Sequence, residues 1–221
     1  MQIAIVLYPG VTMLDAIGPY EVLHNLPGVD LRFVSVKAGS LKVDSGLVSL
    51  VTTHSLADTP APDLVLVPGA AANTLAEMGD QELLDWLREV HKTTTWTTSV
   101  CSGALILGAA GILKGHPATT HWAAMAALPG LGAEPRPDER IVRSGKIVTA
   151  AGVSAGIDLA LWLAGQIAGQ EQAEAVQLLI EYDPRPPYDA GHISKASPEV
   201  RQLAEASMAA QIEHPQPMVF D

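Results

Sequence analysis

At 221 residues, 48% of them apolar, the chain is long enough for one α/β domain with a substantial buried core. Its 24 acidic and 13 basic residues give a formal net charge of −11, which argues against nucleic acid or anionic membrane as partners and points to a small molecule. No apolar run approaches the ~20 residues that span a bilayer, Met1 to Val6 lack the basic segment of a signal peptide, and one cysteine makes neither an internal disulfide nor a thiolate zinc cluster. The expectation is a cytoplasmic protein.

In chain order, residues 2–7 read as a first apolar strand, followed by a loop and a helix over 19–26 that Gly18-Pro19 opens, because proline suits the first helical position. Residues 31–36 predict a second strand, and 41–53 a hairpin inserted between crossover units. A strand over 64–67, a helix over 81–91, a strand over 96–100 and a helix over 102–110 follow, each helix with apolar residues at three- and four-residue spacing. Residues 141–148 predict another hairpin whose second arm begins a strand over 147–149. Helices over 155–168 and 171–182 come next. Between Asp183 and Ser197 three prolines remove donors and restrict their predecessors, so the chain there is an extended strap, and a last helix over 199–212 starts at Ser197-Pro198. Alternating strands and helices predict a mainly parallel, covered sheet in a single domain, 1–221, with a C-terminal extension from about 183.

Ligands bind beyond the carboxyl ends of such strands. Cys101, the lone cysteine, ends the strand Trp96 to Val100 and precedes the small-residue helix that begins Ser102-Gly103-Ala104. A sharp turn there exposes the sulfur, and the unsatisfied N–H groups of the new helix favour the thiolate, so a nucleophile is expected. A small buried hydrophobe is the plainer alternative. Asp15 follows the first strand amid Leu14, Ala16 and Ile17; it either caps the next helix or exchanges a proton with the thiol at the same sheet edge. Pro68-Gly69-Ala70-Ala71 is a turn whose N–H groups at Gly69 and Ala70 could stabilise negative charge. Ser154 either caps the helix that follows Gly152-Val153 or reaches the pocket, and Asp158 is structural. No histidine adjoins Cys101. His121 is the best placed to join a pocket, though a histidine at a helix start would look the same; His24, His54, His91, His116, His192 and His214 read as solvated.

Four segments, Ser99-Val100-Cys101-Ser102-Gly103-Ala104, Asp15-Ala16-Ile17-Gly18-Pro19, Ala118-Thr119-Thr120-His121-Trp122 and Gly152 to Asp158, resemble the ThiJ/PfpI superfamily through nearly all of the chain. The resemblance implies a class I glutamine amidotransferase-like fold, a flavodoxin-like three-layer α/β sandwich with a nucleophile elbow. Within the superfamily the likeness is to the isocyanide hydratases, strengthened by the stretch from Glu181 to Gly191. Two departures from that pattern stand out: Ser102 replaces a threonine and Ala70 a second glycine, which keeps a hydroxyl and a backbone N–H while changing pocket volume. The implied chemistry is attack of Cys101 on an organic isocyanide, a covalent thioimidate, and release of an N-substituted formamide by water, with no metal or organic cofactor. Asp15 would shuttle protons, Ser102 with Gly69 and Ala70 would position substrate or water, and Ile17, Trp122 and Val153, with Ser154, would line the substrate pocket. A homodimer is also implied.

Two rival readings remain at this level: a glyoxalase- or deglycase-like enzyme acting on α-oxoaldehydes, and a non-enzymatic thiol-based sensor. Ser102 stands where protease-like members carry histidine, and about two dozen residues after Ser197 are too few for the paired helix-turn-helix motifs of a related regulator.

Overall fold

The apolar runs pair as the alternation predicts. The structure, a computed structural model describing residues 1–213, places β1 (Gln2–Val6), β2 (Asp30–Ser35), β5 (His54–Ser55), β6 (Leu64–Val67), β7 (Trp96–Val100) and β11 (Ile147–Ala150) in one parallel array. With the antiparallel edge strand β10 (Ile141–Ser144), the sheet has seven strands in the order β10-β11-β7-β6-β1-β2-β5. All four residues of β6 and of β11 are buried, as are the last four of β1 and β7, because helices cover both faces and leave no solvated side for polar alternation. Two small additions sit outside this sheet: the antiparallel hairpin of β3 (Gly39–Lys42) with β4 (Ser49–Thr52), as predicted, and the short pair β8 (Pro117–Ala118) with β9 (Glu134–Pro135).

The sheet order reverses between β1 and β6: the chain leaves β1 toward β2 in one direction and leaves β6 toward β7 in the other. Right-handed crossovers then put the intervening helices on opposite faces. Helix α1 (Met13–Leu23) packs along α5 (Ala155–Ala168), which in turn meets α6 (Gln170–Leu179). On the other face α4 (Gly103–Ala109) meets α2 (Thr74–Glu77), α3 (Gln81–Thr93) and a 3-10 helix over Trp122–Leu131. Helix α3 follows its amphipathic pattern, burying Leu83, Leu84, Leu87 and Val90, and Asp80 caps it by accepting from Leu83 N at 3.1 Å. A final helix, α7 (Pro198–Glu213), begins where Ser197 accepts from Val200 N, as the sequence predicts.

Two helix boundaries depart from expectation. Helix α1 begins at Met13, with Pro19 inside it rather than at its start. Proline cannot donate to the Asp15 carbonyl one turn back, yet the helix continues because the Pro19 ring lies against α5: a methyl built on Gly156 would come within 3.2 Å of Pro19 Cγ and Cδ. Asp15 therefore belongs to the first turn of α1 instead of preceding the helix. Helix α6 stops at Leu179 because Glu181 takes a left-handed backbone (φ 51°), and Gln177 Nε2 donates back to the Tyr182 carbonyl at 3.0 Å.

Where α4 starts, it presses on the end of β6. A methyl on Gly103 would lie 2.1 Å from the Val67 carbonyl oxygen and 2.7 Å from that of Pro68, neither of which can move without dragging the strand. Gly103→Ala should therefore lower stability by about 3 kcal/mol; urea unfolding followed by circular dichroism would measure it, and an unchanged midpoint would contradict this account of the junction.

Candidate active site

The crevice where the strand order reverses is lined by the loops after β1, β6, β7 and β11, and the elbow after β7 carries the thiol. Cys101 is in the left-handed region (φ 57°), a conformation costing an L residue on the order of 1–2 kcal/mol. Hydrogen bonds hold it there: its N–H points between the Ala150 and Ala151 carbonyls at 3.2 and 3.1 Å, and Thr120 Oγ1 donates to its carbonyl at 2.7 Å.

The carboxyl of Asp15 arrives from the first turn of α1, which follows the β1 loop. Oδ2 accepts the Gly69 N–H at 2.9 Å, tying the β6 loop to α1. The carboxyl also lies beside the Cys101 thiol, close enough for each to shift the other's pKa, and Oδ1 has no hydrogen-bond partner among the described residues. Asp15 is completely buried. Burial pushes its pKa up to about 7 against the pull of Gly69 N–H and of the Cys101 thiol, with Asp44 adding repulsion.

Cys101 departs from the expected exposed thiolate: the residue retains only 7% of its accessible surface. Burial first, and the neighbouring Asp15 charge second, push the thiol well above its usual range, while the N–H groups of Val153 and Ser102 pull the other way. Helix α4 is two turns long, too short for its dipole to outweigh this desolvation. The resting pair is thus a thiol beside a carboxyl that is close to half ionised at neutral pH, and the second charge is the expensive one.

Gly69 and Ala70 do not present an open oxyanion hole. The Gly69 N–H is taken by Asp15, and the Ala70 N–H is shared by Thr74 Oγ1 and Ser102 Oγ, each at 3.0 Å. Ser102 Oγ lies 2.7 Å from Thr74 Oγ1 and donates to the Ala70 carbonyl at 3.0 Å. Its hydroxyl fastens the β6 loop to the elbow. The N–H groups of Val153 and Ser102 are the ones that favour charge on the sulfur, so Val153, expected as an apolar lining, acts there through its backbone. Thr74 and Thr120 carry support that the sequence reading did not assign; a hydroxyl opening α2 and one preceding His121 were the available signals.

The remaining predicted residues scatter. Ile17 faces away from Asp15, into a groove of about 590 Å³ between α1, α5 and α6, with Leu14, Ile157, Leu179 and Tyr182. Trp122 is half-buried at the start of the 3-10 helix, its ring centroid 5.4 Å from that of His121. Ser154 occupies the α5 cap position without a capping bond, and its hydroxyl accepts from Arg140 at 3.2 Å. Asp158 pairs with Arg140 and accepts from the Tyr182 hydroxyl at 2.9 Å, a structural role as expected. His121 caps the 3-10 helix by accepting from Ala123 N. His91 and His116 are half-buried and hydrogen-bonded to Thr97 and Ser144 rather than solvated, and His214 lies outside the described residues.

Comparison with known proteins places this geometry. The family model described as DJ-1/PfpI matches residues 1–166. An isonitrile hydratase of Pseudomonas putida is 44% identical over 191 residues, covering 86% of this chain and 82% of that protein. The crystal structure of a ThiJ/PfpI family protein from Pseudomonas syringae superposes with a TM-score of 0.90 at 37% identity, over 96% of this chain and 87% of that one. Drosophila melanogaster DJ-1beta shares the fold, with a TM-score of 0.73 at 21% identity over 81% of this chain and 97% of its own.

The raised Asp15 pKa has a thermodynamic consequence. Because the folded state holds this proton more tightly than the unfolded chain, the carboxyl's stabilising contribution is complete below about pH 4 and is lost as pH rises to about 7. Asp15→Asn removes that dependence. The variant should match wild type near pH 4 in urea unfolding and exceed it by about 4 kcal/mol at pH 8; a constant difference between those pH values would contradict the assignment.

Proposed function

The chain belongs to the DJ-1/PfpI family, and we propose that it is an isocyanide hydratase, converting an organic isocyanide to an N-substituted formamide through Cys101. Isonitrile is another name for isocyanide, so the Pseudomonas putida relative carries the same activity in its name. The observation that carries the reading is the buried Asp15 carboxyl, with its pKa near 7, set beside a thiol held at a strained elbow. That pair suits a substrate whose terminal carbon must receive both a nucleophile and a proton.

In the first step Asp15 takes the thiol proton as sulfur forms a bond to the isocyanide carbon. Asp15 then returns the proton to that same carbon, leaving a neutral thioimidate on Cys101. Only one negative charge is present at any point, matching a site that resists two. In the second step Asp15 draws one proton from water as the water oxygen bonds to the thioimidate carbon and passes it to the nitrogen; Asp15 then takes the remaining proton of the new hydroxyl as its oxygen becomes the carbonyl and the carbon–sulfur bond breaks. The sulfur leaves with a proton from Asp15, and the products are free thiol and formamide. The Val153 and Ser102 N–H groups support sulfur while it carries charge. Ser102 holds the β6 loop in place, and Trp122 and the Val153 side chain border the organic substituent.

The thiol sensor is the weaker reading, because sensor cysteines are exposed and of low pKa whereas this one is buried and of high pKa. The free cysteine, without a disulfide, is consistent with the cytoplasm. A second copy would cover the groove beside α1: Leu14 and Leu179, which line it, are exposed at 41% and 68%, an apolar surface unsuited to water. Residues 183–213, beyond the family match, form a C-terminal extension of a single domain.

Cyclohexyl isocyanide should yield the formamide, with a transient adduct on Cys101 in the intact-protein mass, while methylglyoxal should yield no lactate. Cys101→Ala should show no turnover, and Asp15→Asn should lose about a thousandfold in kcat; full activity in either would exclude this mechanism, and lactate would favour the glyoxalase reading. For assembly, Leu179→Glu should turn a dimer into a monomer in light scattering. A wild-type protein that is already monomeric would remove the second copy.

A further inference from the structure

The segment after β8 touches three parts of the site in three consecutive residues. Thr119 N donates to Thr149 Oγ1 at 2.9 Å near the end of β11, Thr120 Oγ1 donates to the Cys101 carbonyl at 2.7 Å, and His121 lays its ring against Gly152. A methyl built on Gly152 would lie 2.3 Å from His121 Cδ2 and 3.2 Å from Nε2, so the imidazole fills the volume a side chain at that position would need. The ring is anchored at its other edge, where Nδ1 accepts the Ala123 N–H at 3.4 Å. That bond leaves the proton of the neutral imidazole on Nε2.

The residue after Gly152 is the one that needs holding. Val153 has φ 25°, a backbone conformation that side-chain-bearing residues rarely adopt, and its N–H is near enough to the Cys101 sulfur to favour charge on it. A strained peptide persists only where its surroundings over-determine it. On the Gly152 side, those surroundings are the His121 ring.

We propose that His121 is a positioning residue whose ring, seated in the space left by the missing side chain of Gly152, holds the Gly152–Val153 peptide so that the Val153 N–H meets the Cys101 sulfur. This role rests on Cys101 being the nucleophile of the proposed function. It requires no proton transfer by the imidazole. It also explains why the best-placed histidine of the chain adjoins the turn beside the thiol rather than the thiol itself.

The test compares His121→Ala, Gly152→Ala and the double variant, reading Cys101 directly as the pH dependence of its alkylation by iodoacetamide, with kcat and KM for cyclohexyl isocyanide measured alongside. His121→Ala should slow alkylation at neutral pH about tenfold, move its midpoint up by about one pH unit, and lower kcat by a similar factor with KM unchanged. Gly152→Ala alone should do as badly, since ring and methyl compete for one space. The double variant, in which the methyl takes the ring's place, should recover to within about threefold of wild type. His121→Phe, which keeps a ring but no titratable nitrogen, should stay close to wild type, and it answers the question if His121→Ala does not fold. A wild-type alkylation profile in His121→Ala, no recovery in the double variant, or an alanine-sized loss in His121→Phe would each overturn the proposal. If wild type alkylates as described but does not hydrate the isocyanide, the proposed function fails while the bracing role stands.

Discussion

A carboxyl and a thiol taken out of water beside each other cannot both ionise. Burial already raises the pKa of each, and the first charge to appear raises the cost of the second. Asp15 and Cys101 meet under these conditions, so the carboxyl ionises first and the thiol only at far higher pH. Burial keeps the sulfur as a thiol, with the Asp15 carboxyl beside it. Such an arrangement favours chemistry in which the proton removed from sulfur is needed again on the substrate, and adding sulfur and hydrogen to one isocyanide carbon is chemistry of this type.

The fold creates that contact by geometry rather than by sequence proximity. The reversal of strand order between β1 and β6 opens the crevice, and α1 begins early enough for its first turn to carry Asp15 into it. The surrounding loops are fastened to one another before any ligand arrives. Gly69 is bonded to Asp15, Ser102 and Thr74 enclose the Ala70 peptide, Asn73 Nδ2 donates to the Pro9 carbonyl at 2.7 Å, and Thr120 holds the elbow. These bonds offset the left-handed backbone at Cys101 and hold the elbow in one arrangement. Tyr8 extends the web below, its hydroxyl donating to the Pro68 carbonyl at 2.8 Å.

Much of the fold is legible in the chain because its central strands are buried on both faces, and runs such as Leu64-Val65-Leu66-Val67 admit little else. The elbow is legible because a small reactive residue between such a strand and a small-residue helix has few structural explanations. Helix α1 was misjudged at its start because proline is a strong local signal for a first turn, and only the packing of Pro19 on α5 overrides it. The exposed thiolate was misjudged for a related reason: a helix N-terminus is local and readable, whereas the apolar surroundings that desolvate Cys101 come from segments distant in sequence. Backbone N–H groups were the hardest to assign. Every residue but proline has one, and whether that of Ala70 is spent on Thr74 or that of Val153 reaches a sulfur is decided by φ angles that side-chain identity barely constrains.

By itself, then, the sequence determined the parallel sheet, the order of its elements, and that the lone sulfur stands at the turn after β7, since hydrophobic pattern and residue chemistry are local properties. The tertiary structure alone decided that Asp15 and Cys101 are buried beside each other, that the Gly69 and Ala70 amides are already occupied, and that Ile17 turns toward a different groove. Those outcomes depend on desolvation and on the directions of hydrogen bonds, which arise only when residues far apart in the chain exclude water from one another.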